Sequence, residues 1–102
     1  MKRKNVKYAI VDLEATGTGS TAKIIQVGIV IIEEGEIKQT YQTDINPHEM
    51  LDEHIKQLTG LSDQRLSQAP DFSQVAREIY ELIEDAIFVR RQIGRASCRE
   101  RV

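Results

Sequence analysis

The sequence predicts an α/β fold: three antiparallel strands, then short helices, one longer amphipathic helix and a parallel strand. Three observations carry that expectation. Residues 7–13 and 23–33 are β-branched apolar runs, the second with seven Ile or Val among residues 24–32. Glu34-Gly35 is a hairpin signal leading into a third run. Phe72, Val75, Ala76, Ile79, Leu82 and Ile83 recur at helical spacing.

The first strand, KYAIVDL, ends in a glycine-rich turn. Gly28 inside the second suggests a bulge or a close backbone approach. In the third, residues 36–45, parity places Ile37, Thr43 and Ile45 on one face, and Asn46-Pro47 ends the strand. Residues 48–70 read as short helical pieces. Leu51, His54, Ile55 and Leu58 share a helical spacing that Thr59-Gly60 stops, and Ser62 with Asp63 caps a second piece carrying Leu66. Asp71 opens the helix over 72–84, and residues 86–89 (AIFV) start another buried strand. A sheet of this kind needs more helix on its open faces, so the chain is expected to be incomplete at its C-terminus.

With 102 residues, 40% hydrophobic and 29% charged, the composition is that of one small globular domain or part of one. The apolar run around Val27 to Ile32 is far shorter than the roughly 20 residues of a membrane span. The basic N-terminus is followed by a stretch that Asp12 and Glu14 interrupt, unlike a signal peptide. One cysteine excludes a disulfide framework and a multi-cysteine zinc site, and a cytoplasmic location is the expectation. Charge is uneven. In residues 90–102 five arginines stand against one glutamate, a local net of +4 that leaves −6 for residues 1–89. Such a tail reads either as a nucleic-acid-binding arm or as foreign sequence. Residues 92–102 resemble a translated sequencing-adapter read, so 90–102 is expected to be non-native and the authentic chain to stop near Val89.

Asp12 and Glu14 stand two apart in the first strand and project to one face with Tyr8 and Ile10, while Ala9, Val11, Leu13 and Ala15 take the other. Two adjacent negative charges on a buried strand call for a cation, and oxygen-only ligands suit Mg²⁺ or Mn²⁺. The alternative is a strand end with two solvated acids. Residues 17–22 (GTGSTA) fit the dinucleotide fingerprint by letter, but that motif needs a helix where a β-rich run follows. A turn whose backbone N–H groups approach a phosphate, or a plain loop, remains. Neither His48 nor His54 has a second histidine or cysteine at ligand spacing, which argues against zinc. His48 reads as a surface residue and Thr59-Gly60 as a helix stop.

Beyond periodicity, AIVDLEATG at residues 9–17 resembles the first motif of the DnaQ-like (DEDD) 3′–5′ exonucleases, an apolar run followed by D-x-E-T/A-T-G. Two further blocks match in order and spacing, Ile24-Ile25-Gln26-Val27-Gly28 and Leu58-Thr59-Gly60-Leu61-Ser62-Asp63. Asn46-Pro47 and Ala69-Pro70-Asp71-Phe72 are also typical, so the likeness runs from about Tyr8 to Val89. Among subfamilies the chain is most similar to the N-terminal exonuclease domain of Gram-positive DinG-type helicases. The free proofreading subunit and the polymerase-embedded proofreading domain are close competitors.

The resemblance implies an RNase H-like α/β fold with a mixed sheet, residues 1–89 forming the N-terminal part of an exonuclease domain. It implies two divalent ions, Mg²⁺ or Mn²⁺, with Asp12 bridging both and Glu14 binding one, in hydrolysis at DNA 3′ ends. Thr16 and Gly17 would hold the terminal nucleotide partly through main-chain N–H groups. Leu58 and Thr59 would contact the 3′ end, and His54 the nucleotide. The implied partners are single-stranded DNA and a covalently linked helicase or polymerase. Relatives carry a third carboxylate directly after the strand matching residues 86–89, then a histidine or tyrosine base and a fourth carboxylate. Here Arg90-Arg91-Gln92 follows instead, so the chain as it stands is expected to be inactive. The alternative is a non-catalytic docking module of a helicase or polymerase.

Overall fold

A computed structural model describes residues 6–17 and 21–91. The expected tail beyond Arg91 and the glycine-rich turn at residues 18–20 lie outside the described residues. Seven elements follow in order: β1 (Lys7–Ala15), β2 (Ile24–Glu33), β3 (Glu36–Asp44), α1 (Glu53–Thr59), α2 (Asp63–Ser67), α3 (Phe72–Ile83) and β4 (Ile87–Arg91). The strands form one mixed sheet in the order β3-β2-β1-β4, with β1 antiparallel to β2 and parallel to β4. No helix among the described residues is long and apolar enough to cross a membrane, which says nothing of a β-barrel.

Alternation along the strands divides the sheet into two unlike faces. Ala9 and Val11 of β1 stand beside Ile31 and Ile29 of β2, and these with Val27, Ile45 and Val75 form the main core. Helix α3 closes it with Ile79, Leu82 and Ile83. Each such aliphatic side chain withdrawn from water contributes roughly 1.5–3 kcal/mol before the entropy of ordering is set against it. A second cluster joins Ile25 to Leu51, Ile55, Leu61 and Leu66, and so seats α1 and α2.

The hairpin turn is as expected: Glu34 and Gly35 both take positive φ, 55° and 78°, matching the twist of the strands they join. Helix α1 stops at Gly60, whose left-handed φ of 78° lets its N–H reach the carbonyl of Lys56. Ser62 caps α2 by accepting the N–H of Arg65, and Gln74 returns its Oε1 to the N–H of Asp71 at the start of α3.

Three expectations are corrected. Gly28 is not a bulge; it pairs in register with Asp12 and Gln42. The irregularities fall instead at Ile25 and Lys38, each an extra residue between two paired neighbours. The Lys38 bulge reverses the alternation of β3, so Ile37 leaves the face of Thr43 and Ile45 to stand opposite Ile32, 66% exposed. The Ile25 bulge has a use, because Ile24 packs on the main core while Ile25 enters the second cluster. Finally, β4 pairs with β1 but is not buried: Ile87, Phe88 and Val89 are all exposed. It is the outer strand of the described sheet and runs two residues past Val89.

Asp63 ties the short helices together. Its carboxylate accepts the N–H of Leu51 at 2.8 Å and pairs with Lys56 at 2.9 Å. The Leu51 N–H, and then Lys56, hold the Asp63 carboxyl below its ordinary value. A lowered carboxyl stabilises the fold above the unfolded-state pKa and loses that contribution as pH falls through the folded one. The urea midpoint of the wild type should therefore exceed that of Asp63→Asn by a constant margin near neutrality, and the margin should close as pH drops below 3.8. A margin that widens with acid overturns this assignment. In the same assay Ile29→Ala, at a 1% exposed position, should cost about 3 kcal/mol. Ile37→Ala should stay within about 0.5 kcal/mol, as befits an exposed side chain.

Candidate active site

The face of the sheet opposite the main core carries a groove of about 420 Å³ walled by β1, β2 and β3. Cross-strand register sets its floor in rows. Glu14, Gln26 and Asp44 form one, Asp12, Gly28 and Gln42 the next, and Ile10, Val30 and Thr40 a third. The first two rows are polar and the third is mostly apolar. Both carboxylates expected from the first strand thus stand on the same face, in adjacent rows of one groove. Both residues are half-buried, and Oδ1 of Asp12 is screened from solvent.

Gly28 determines the room beside them. A Cβ at this position would lie 3.8 Å from the Cβ of Asp12 and 3.9 Å from its carbonyl oxygen, both ordinary contacts. The groove lined by Asp12, Glu14 and the oxygen-bearing Gln26 offers hard donors alone, a set that fits Mg²⁺ or Mn²⁺ and not a soft metal. Among the described residues no group of three or more His, Cys, Asp or Glu is placed to hold a metal.

The other expected site residues divide into two sets. Thr16 and Gly17 line a neighbouring hollow of about 260 Å³ together with Thr21, Glu49 and Asp52. Thr16 closes the turn onto β2: its N–H donates to the carbonyl of Lys23 at 2.8 Å and its Oγ1 accepts the N–H of Lys23 at 3.0 Å. Its main-chain donor is therefore committed, and the hydroxyl proton is what it can offer a ligand. Gly17 is exposed. His54, Leu58 and Thr59 all lie on α1 and line neither the groove nor this hollow. His54 and Leu58 are exposed, whereas Thr59 works within its own helix end, donating to the carbonyl of Ile55 and accepting the N–H of Leu61. His48 is a surface residue whose ring pairs with the Asp71 carboxylate at the start of α3.

Sequence reasoning did not single out Gln26, Asp44 or Arg65. Arg65 grips Asp44 with two bonds, Nε to Oδ2 at 2.6 Å and Nη2 to Oδ1 at 3.0 Å, and Gln26 Nε2 donates to the same Oδ1 at 3.0 Å. The Arg65 guanidinium holds the Asp44 carboxyl below the usual carboxylate range, with Gln26 assisting against partial desolvation. Two signals were available for Gln26: its place in the matching block of residues 24–28 and its parity with Gly28 on β2.

β2, which begins at Ile24, excludes the dinucleotide-binding arrangement, since a strand stands where that motif needs a helix. Comparison with known proteins points elsewhere. A family model described as Exonuclease (RNase_T) matches residues 9–96. The 3′-5′ exonuclease DinG of Staphylococcus aureus (strain USA300) is 41% identical over 87 residues, covering 84% of this chain and 10% of that protein. DinG of Bacillus subtilis (strain 168) is 36% identical over 89 residues, covering 85% and 10%. The chain thus spans about a tenth of the length of these curated relatives.

Solved structures agree on the fold. Product-bound exonuclease I superposes with a TM-score of 0.73 at 13% identity, covering 85% of this chain and 22% of that one. The nuclease domain of 3′hExo, described as a DEDDh family member bound to rAMP, gives 0.67 at 22% identity, covering 92% and 55%. The mixed sheet is that of the RNase H-like exonucleases, and the chain belongs to the exonuclease family.

Proposed function

We propose that this chain contributes the β1 half of the active site of a 3′–5′ exonuclease that removes nucleotides from DNA ends. The observation that carries the proposal is the presence of Asp12 and Glu14 in one groove, in adjacent rows of the same face of β1. The family and the DinG relatives agree with it. Asp12 and Glu14 are the residues that would hold Mg²⁺ or Mn²⁺. Such ions, when bound, supply a nucleophilic water and offset charge on the leaving 3′ oxygen.

The remaining residues serve the strand end. Thr16 and Gly17, at the exit of β1, are the groups that would meet the terminal nucleotide, Thr16 through its hydroxyl proton and Gly17 through its exposed backbone. His54, Leu58 and Thr59, on α1 outside both hollows, are carried over from the family resemblance as contacts of the strand end. A net charge of −6 over residues 1–89 does not oppose a polyanion, because contact depends on the local groove and its cations. The exonuclease part is read as residues 1–89 and 90–102 as a non-native addition, the family match itself running on to residue 96. We propose that the chain as it stands is inactive, Asp12 and Glu14 being the acids its groove supplies among the described residues. In a cytoplasmic parent protein the substrate would be a single-stranded DNA 3′ end, and a helicase or polymerase module would share the polypeptide.

Two measurements test this. NMR of the chain during Mn²⁺ titration should show amide broadening centred on Asp12, Glu14 and Gly28. Broadening centred on Asp63 or Glu53 would move the cation off the groove and defeat the reading. The chain should leave a 5′-labelled single-stranded oligonucleotide intact. A parent domain carrying the downstream motifs should shorten it from the 3′ end, and Asp12→Asn should reduce that rate more than about 100-fold. A parent that retains its rate after this substitution refutes the assignment.

A further inference from the structure

We infer that Gln26 is a further ligand of the groove: its side-chain carbonyl oxygen, oriented by Asp44 and Arg65, joins Asp12 and Glu14 in holding the divalent cation. This rests on the cation reading proposed above and extends it to a residue outside the acidic pair.

The argument begins with register. Gln26 is the middle member of a row across three strands, with Glu14 on one side and Asp44 on the other. It lines the groove together with Asp12 and Glu14. On adjacent strands such directly opposed side chains have Cβ atoms about 5 Å apart, within reach of a shared ion.

Chemistry then fixes which end of the amide faces which neighbour. Arg65 forks both oxygens of Asp44 and donates to each, so Asp44 meets its neighbours as an acceptor. Gln26 must therefore present its NH₂ to Asp44, as it does at 3.0 Å. A carboxamide is planar with nitrogen and oxygen on opposite edges. Committing the nitrogen to β3 turns the oxygen away from β3, toward the side on which Glu14 stands. A hard cation accepts a Gln carbonyl as readily as a carboxylate, and a neutral oxygen adds a ligand without adding repulsion between anions. Arg65 is itself anchored: its N–H is the one the Ser62 cap accepts. The orientation of a groove oxygen is thus set from α2, through Asp44 of β3.

The test is a titration of the full 102-residue chain with Mn²⁺, following the free ion by its electron paramagnetic resonance signal. Gln26→Met keeps length and removes the oxygen, and should weaken Mn²⁺ binding roughly tenfold with an unchanged urea midpoint. Asp44→Asn lets the amide turn over and should weaken it roughly threefold. The exchanged pair Gln26→Glu with Asp44→Asn restores a donor on β3 and an oxygen on β2, and should recover at least wild-type affinity. Should Gln26→Met not fold, Asp44→Asn and the exchanged pair decide. Wild-type affinity in folded Gln26→Met, or in Asp44→Asn, overturns the role of Gln26 and leaves the acidic pair standing. Wild-type protein that binds no Mn²⁺, or binds it equally after Asp12→Asn, overturns both.

Discussion

The pleat of β1 is the constraint on which the rest depends. As an internal strand, with β2 on one side and β4 on the other, it must serve two environments with alternate residues. Ala9 and Val11 are sealed in the main core, while Ile10, Asp12 and Glu14 stand on the groove side. A slip of one residue would exchange these sets, driving two carboxylates into an apolar core and lifting the aliphatic residues out. Because that error is so costly, the hydrophobic pattern that builds the core also fixes where the acids stand. Fold and site are specified by the same seven or so residues.

The short helices depend on that sheet and repay it. Helices of seven and five residues are too short to persist alone in water. They are held by Ile55, Leu61 and Leu66 against Ile25, and by Asp63 bridging Leu51 and Lys56. The ion pairs here are partly solvated, so each adds little by itself, and their value lies in fixing position. Arg65 illustrates this. Its pairing with Asp44 joins α2 to β3, and through Gln26 the same contact reaches the groove. A surface ion pair and a candidate ligand are consecutive links of one hydrogen-bonded chain.

Much of the architecture was legible because it is local. The β-branched runs, the Glu34-Gly35 turn and the stripe of α3 each rest on residues within one element, and the structure follows them closely. The common face of Asp12 and Glu14 was legible for the same reason. What escaped depends on pairing. Nothing in the letters around Ile37 announces a bulge at Lys38, since a bulge exists only relative to the partner strand. The burial expected for Ile87 to Val89 presumes cover on both sides of β4, which a strand's own composition does not provide. Asp44 and Arg65 lie 21 residues apart, and their contact follows from where α2 docks. His54, Leu58 and Thr59 were placed by resemblance, and their relation to the groove is likewise a matter of tertiary packing.

Gly28 shows how a rule of strand composition can be right about significance and wrong about cause. A glycine amid Val and Ile weakens a strand, because it adds backbone entropy to be lost and forfeits a packed side chain. The usual compensation is a bulge or a positive φ, and Gly28 has neither. Its neighbours in register are Asp12 on one strand and Gln42 on the other, both polar and both lining the groove. Alanine would fit here, with its Cβ at ordinary contact distance from the Cβ and carbonyl oxygen of Asp12. The strand thus carries its smallest residue where it faces Asp12 across the pairing of β1 with β2. Space at Gly28, charge at Asp12 and Glu14, and the oriented amide at Gln26 are three consequences of a single register between β1 and β2.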